Sequence, residues 1–266
     1  LRALSRAVEL AGEVGIAPEE HFDLLKMREA IYHRLGQRDA QQADQQAMQS
    51  IAHKLDDRHR LCEVLCAQVL RLRALGERKA EREAIDALKA AAQALGDPYW
   101  QAMGLHMEGH LLDLLGEDLA GAELLQQALP LYQAAQNSQG ELECFAKLAE
   151  IYIRRRNSAA AEVWIQKALA LSQGQNQAYL VMHVLWLMAA NGLVMKDFER
   201  CHSYGAQCLE YAQRANDLFW RATTHRLLAQ ACGYQFKISE MRNHLDQAER
   251  LYHILQRPSG LAMVYE

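Results

Sequence analysis

The sequence predicts an all-α protein, an α-solenoid of about six helix–turn–helix repeats. Three observations lead there. Half of the residues are apolar and 23% are charged, which excludes a disordered chain. Only four prolines occur, and Ala, Leu, Gln and Glu outnumber β-branched residues, a composition that loses little side-chain freedom in helices. Turn chemistry also returns every 40 residues, the signature of a stacked array.

Two interleaved series of breaks share that period. The segments RLGQRDA, ALGERKA, LLGEDLA, RRRNSAA, VMKDFER and QFKISEM surround Gly36, Gly76, Gly116, Arg156, Lys196 and Phe236. A second series falls at Asp56, Gly96, Gln136, Asn176, Asn216 and Gln256. Its segments carry capping and turn residues: Gly96-Asp97-Pro98, Asn137-Ser138, Gly174-Gln175-Asn176, Asn216-Asp217 and Arg257-Pro258-Ser259.

In chain order, residues 1–16 form the second helix of a truncated repeat. Six repeats follow, at 17–56, 57–96, 97–136, 137–176, 177–216 and 217–256, and 257–266 begin a further helix. The whole of 1–266 is expected to be a single solenoid, cut in mid-pattern and continuing in both directions in a longer parent. Within the repeats, small residues recur where helices approach closely. Seven before the first-series turn stand Glu29, Val69, Gly109, Ala149, Ala189 and Ala229; twelve after it stand Met48, Leu88, Ala128, Ala168, Cys208 and Ala248. Four before it come Tyr32, Leu72, Leu112, Tyr152, Gly192 and Cys232. Such small–large alternation lets hairpins interlock.

A small residue, a Tyr three further on, a Gly or Asn turn and an Ala five after the turn resemble the tetratricopeptide repeat. The fourth repeat carries it best, with Ala149, Tyr152, Arg156-Asn157, Ala161 and Ala168. The resemblance covers essentially the whole chain and departs in two respects: each repeat is longer than the family's, and the consensus Trp and first Leu are mostly missing. It is similar to the long repeats of bacterial signalling regulators and scaffold proteins. It implies a right-handed superhelix whose first helices line a concave groove.

Net charge is −4 and the pI near 6.3, without the clustered Lys and Arg of a nucleic-acid binder. Cys62, Cys66, Cys144, Cys201, Cys208 and Cys232 fall inside predicted helices and read as small buried thiols of a reducing compartment. Leu1 to Leu10 lacks the apolar core of a secretory signal, and a cytoplasmic location is expected. The apolar run Leu180 to Met195 is too short to span a membrane comfortably and contains His183 and Asn191, so a buried helix is expected.

The resemblance places groove positions ten, six and three before each first-series turn. They include His106, His110 and Asp113 in the third repeat, Glu150 in the fourth, Trp186 in the fifth and Arg226 and Gln230 in the sixth; His183 lies one turn before Trp186. His106, His110 and Asp113 share a helical face at metal-ligand spacing. The order His-x-Glu-x-His places no general base, however, and no fourth ligand is evident, so a polar stretch of groove is preferred over a metal. His59, Cys62 and Cys66 also share a face, again without a partner by spacing. The run Arg154-Arg155-Arg156 reads as a helix end complementing the dipole, Trp164 as core, and Trp186 as an aromatic anchor in the groove.

No catalytic constellation or cofactor motif emerges, so the chain is read as no enzyme, with neither cofactor nor metal. The leading reading is a protein- or peptide-binding scaffold or regulatory sensor module of a larger signalling protein. Self-association is included among its partners, and direct nucleic-acid and membrane binding are not. The alternative is a small-ligand-sensing solenoid that controls an attached effector domain.

Overall fold

The computed structural model describes residues 1–172, 178–255 and 258–265. The breaks expected at 174–176 and 256–257 fall outside the described residues. Fourteen helices and no strand occur among the described residues. They are α1 (Arg2–Val14), α2 (Pro18–Leu35), α3 (Arg38–Lys54), α4 (Arg58–Leu75), α5 (Arg78–Leu95), α6 (Pro98–Leu114) and α7 (Asp118–Ala134). Then come α8 (Ser138–Arg154), α9 (Ser158–Ser172), α10 (Ala178–Met195), α11 (Phe198–Arg214), α12 (Leu218–Tyr234), α13 (Ile238–Ile254) and α14 (Pro258–Tyr265).

The first-series breaks are one-residue left-handed turns. Positive φ falls at Gly36, Gly76, Gly116, Arg156, Lys196 and Phe236, each 40 residues after the last. At such a turn the last helical carbonyls accept from the residues beyond the helix, as when Gly36 donates to His33 and Gln37 to Tyr32. Glycine takes this conformation without cost, whereas any other residue costs about 1–2 kcal/mol there. Helix starts are capped by short side chains: Asp57 accepts from the Arg60 amide, Asp97 from Tyr99, Asp197 from Arg200 and Asp217 from Trp220.

The chain divides into two compact units, Leu1–Asn137 and Ser138–Glu266. Within each, helices pack on their neighbours in chain order. The N-terminal unit has one apolar cluster around Phe22, Leu25, Met48 and Val64 and another around Cys62, Ile85, Leu88, Trp100 and Leu111. The same unit holds buried polar contacts among α2, α3 and α4. Glu29 of α2 accepts from Gln41 and Gln45 of α3 at 2.7 and 2.8 Å, and Arg71 of α4 donates to Gln45 at 2.9 Å. Arg28 donates to both oxygens of Asp44, from Nη2 at 2.5 Å and from Nε at 2.9 Å.

The C-terminal unit is more apolar. Its α10 packs on α8 and α12 as well as on α9 and α11, so the three first helices lie in a row. The apolar run of α10 is buried as expected, with Leu180, Met182, Val184, Leu187 and Ala189 in the core. Asn191 is buried with them and donates to Glu162 at 2.8 Å. No helix among the described residues is long and apolar enough to cross a membrane. Trp164, expected in the core, instead lies half-buried on α9, stacked on Phe145 with the Lys167 ammonium over its ring.

Candidate functional site

An open groove of about 870 Å³ lies along the row α8, α10 and α12. Trp186, Ala190, Leu193 and Val194 of α10 form its floor. Ile153 and Arg154 stand on the α8 side, Arg226, Leu227, Gln230, Gly233 and Tyr234 on the α12 side, and Arg156 and Lys196 come from the turns that close α8 and α10. The helical repeat explains the floor, because Trp186, Ala190 and Leu193 are spaced four and three apart and share one face.

Polar groups within this groove are incompletely satisfied. The buried indole Nε1 of Trp186 and the buried Nε of Arg226 have no hydrogen-bond partner. A buried donor left unmade costs about 1–3 kcal/mol, and the same is seen outside the groove at the indole nitrogens of Trp100 and Trp220.

Of the eight residues the register nominates, Trp186, Arg226 and Gln230 line this groove. Glu150 and His183 meet each other instead: His183 Nε2 lies 2.9 Å from a Glu150 oxygen, and Lys147 bonds the other at 3.2 Å. Burial alone would raise the Glu150 carboxyl, but His183 and Lys147 outweigh it and hold the pKa at about 2. Behind this pair, Tyr179, His183, Trp186, Phe219 and Trp220 form a cluster of aromatic rings, with His183 and Trp220 centred 5.0 Å apart. Trp220 is buried, and Trp100, at the same place in its repeat, is buried too.

His106, His110 and Asp113 belong to the N-terminal unit. His106 is buried and shares a hydrogen bond of 3.0 Å with the Tyr132 hydroxyl of α7, while the His110 ring lies 5.0 Å from it at a tilt of 32°. His106 thus serves the α6–α7 contact, and a partner could reach only the half-buried His110 and Asp113. Among the described residues no three His, Cys, Asp or Glu side chains are grouped to hold a metal ion. Burial holds the Cys62 and Cys208 thiols protonated, up to about 11, and Cys201 up to about 12.

Sequence reasoning missed Arg154, Arg156, Lys196 and Tyr234. The arginine run was visible, but a helix-end explanation absorbed it. Only the packing of α8 beside α10 shows that Arg154 and Arg156 border the same space as Trp186.

This architecture is the tetratricopeptide-type helical solenoid. The chain is similar to the apo form of RapI, with a TM-score of 0.77 at 12% identity, covering 96% of this chain and 91% of that one. It is also similar to a Rap protein complexed with Competence and Sporulation Factor, with a TM-score of 0.63 at 13% identity over 93% and 80% of the two chains. A signal transduction ATPase with a tetratricopeptide repeat sensor from Pyrococcus horikoshii matches with a TM-score of 0.67 at 14% identity, over 98% of this chain and 42% of that one. No protein-family model and no curated protein matches the sequence.

Proposed function

We propose that this chain is a protein- or peptide-binding regulatory module, and that the groove along α8, α10 and α12 is a binding face of its C-terminal unit. One observation carries this reading. Trp186, the aromatic that the repeat register assigns to the first-helix face, lines an open groove with its indole N–H buried and unpartnered. A large aromatic at the centre of a patch is the side chain that most often anchors a partner. The solved structures of similar fold support a regulatory role, since one is complexed with a factor and another carries its repeats as a sensor. Arg226 and Gln230 flank the anchor, and His110 and Asp113 offer polar contacts in the N-terminal unit.

The test is co-purification of partners by the wild-type chain and by Trp186→Ala, with folding checked by thermal melting. A specific bound protein that is lost from the folded variant supports the reading. Retention of that protein moves the site off this groove. Thermal stabilisation by a single low-mass compound, lost in Trp186→Ala, would instead favour the small-ligand-sensing alternative.

A further inference from the structure

Charge distinguishes this groove from the rest of the molecule. The chain carries a net charge of −4, yet Arg154, Arg156, Lys196 and Arg226 line the groove and none of its described lining residues is acidic. Three cations outside the groove are matched in this unit: Arg200 grips both oxygens of Glu162 at 2.9 and 2.7 Å, Lys147 bonds Glu150 and Arg214 bonds Glu210. Arg156, Lys196 and Arg226 form no ion pair with any described carboxylate, and the Arg226 Nε is buried without a partner. Glu150 is already engaged by His183 and Lys147, so it does not neutralise the groove.

The backbone supplies an independent observation. Arg156 and Lys196 occupy left-handed turns, with φ of 55° and 60°, at the place where the first three repeats use Gly36, Gly76 and Gly116. Each substitution costs about 1–2 kcal/mol against glycine. Gln136 and Phe236 show that other residues are accommodated in such turns, so strain alone selects no charge. Two cations held at that cost on the rim of one groove do select one.

We propose that the occupant is an acidic peptide segment of a protein partner. Its side-chain carboxylates meet Arg156, Lys196 and Arg226, and an intervening aromatic or aliphatic side chain rests on Trp186 and Tyr234. Arginine favours carboxylates because its planar fork matches them bidentately. Tyr234 is 60% exposed at the groove wall and supplies apolar area there. Four cations at one groove suit a short acidic peptide better than a nucleic acid, whose backbone charges call for a longer run of Lys and Arg. The inference rests on the peptide-binding reading above and adds the chemistry of the peptide.

The experiment measures fluorescence anisotropy of the full chain with three labelled probes. One is a short degenerate peptide pool alternating Asp or Glu with Phe, Tyr, Leu or Ile; the second replaces the acids by Asn and Gln; the third is oligo-dT. The acidic pool is expected to bind roughly tenfold or more tightly than the amide pool, with affinity falling as salt rises. The double variant Arg156→Gly with Lys196→Gly should abolish that preference while melting no lower than wild type, because glycine suits both turns, and Arg156→Lys should retain it. Equal binding of the two peptide pools, lost in Trp186→Ala, would overturn the acidic inference and leave the peptide-binding reading standing. No binding of the acidic pool, or tighter binding of oligo-dT, would also overturn it. The fate of the broader reading is then decided separately by the co-purification with Trp186→Ala.

Discussion

Glu81 shows how a single residue departs from the repeat pattern and is accommodated. It stands five residues after a turn, where the fourth repeat has Ala161, and its side chain is fully buried. Arg73 and Arg78 each reach one of its oxygens at 2.7 Å. Arg73 also donates to the Met107 carbonyl at 3.1 Å, tying α4 to α6. Glu81→Ala leaves these partly exposed cations without their acceptor and is expected to lower stability by about 1–3 kcal/mol, measured by denaturant unfolding. Another single-residue effect is pH dependence. His225 and His244 share a hydrogen bond of 2.9 Å between their Nδ1 atoms. Burial first, then the charges of His244 and Arg221, depress His225 to about 4; burial and His202 also lower His244, against the pull of Glu240. Both therefore bind protons more weakly folded than unfolded. Their contribution is fully present above pH about 6.5 and is lost as pH falls towards about 4. The melting temperature is expected to drop across that window, and less steeply in His225→Gln. Equal slopes for variant and wild type would place the sensitivity elsewhere.

At the scale of elements, the helix pairs are spaced by what stands at the paired small positions. In α6 and α7 these are Gly109 and Gly121, so close that a Cβ on Gly121 would lie 2.7 Å from the Gly109 carbonyl oxygen. The α8–α9 pair uses Ala149 and Ala161, both fully buried, at the same places. Gly121→Ala must push α6 and α7 apart and is expected to cost about 1–3 kcal/mol by thermal or denaturant melting, although alanine is the better helix former. The turns predict the opposite sign. Arg156→Gly and Lys196→Gly should each raise stability by about 1 kcal/mol, the relief of left-handed strain less glycine's greater entropy loss. Together with weakened binding of acidic probes, that gain would identify residues retained for function at a cost in stability.

Across the whole molecule, a stacked repeat array draws its stability from neighbour contacts, so its helices are not equally protected. Helix α1 buries only Val8 and Ala11, whereas α8 buries nine residues, among them Leu142, Phe145, Leu148 and Ile151. Amide hydrogen exchange is expected to be fastest in α1 and much slower in α8. Uniform protection across both would mean that the chain opens only as one cooperative whole.

The sequence by itself determined the fold class, the helix order and the position of nearly every described turn. Those features are local: helix propensity, capping aspartates and left-handed turns act within a few residues, and a 40-residue period makes them legible six times over. It also placed Trp186, Arg226 and Gln230 on the first-helix face, because side-chain direction follows from helical register. Only the tertiary structure decided which of those faces are open. Register assigns His106 the same position as Trp186, yet His106 is sealed against Tyr132 of a neighbouring helix and Trp186 borders a groove. It likewise decided that Arg154, Arg156 and Lys196, one a helix end and two in turns, share one space with Arg226. Residues 30 and more apart in the chain meet only through packing, and no local periodicity encodes which residue of the next helix fills a hole or leaves it empty.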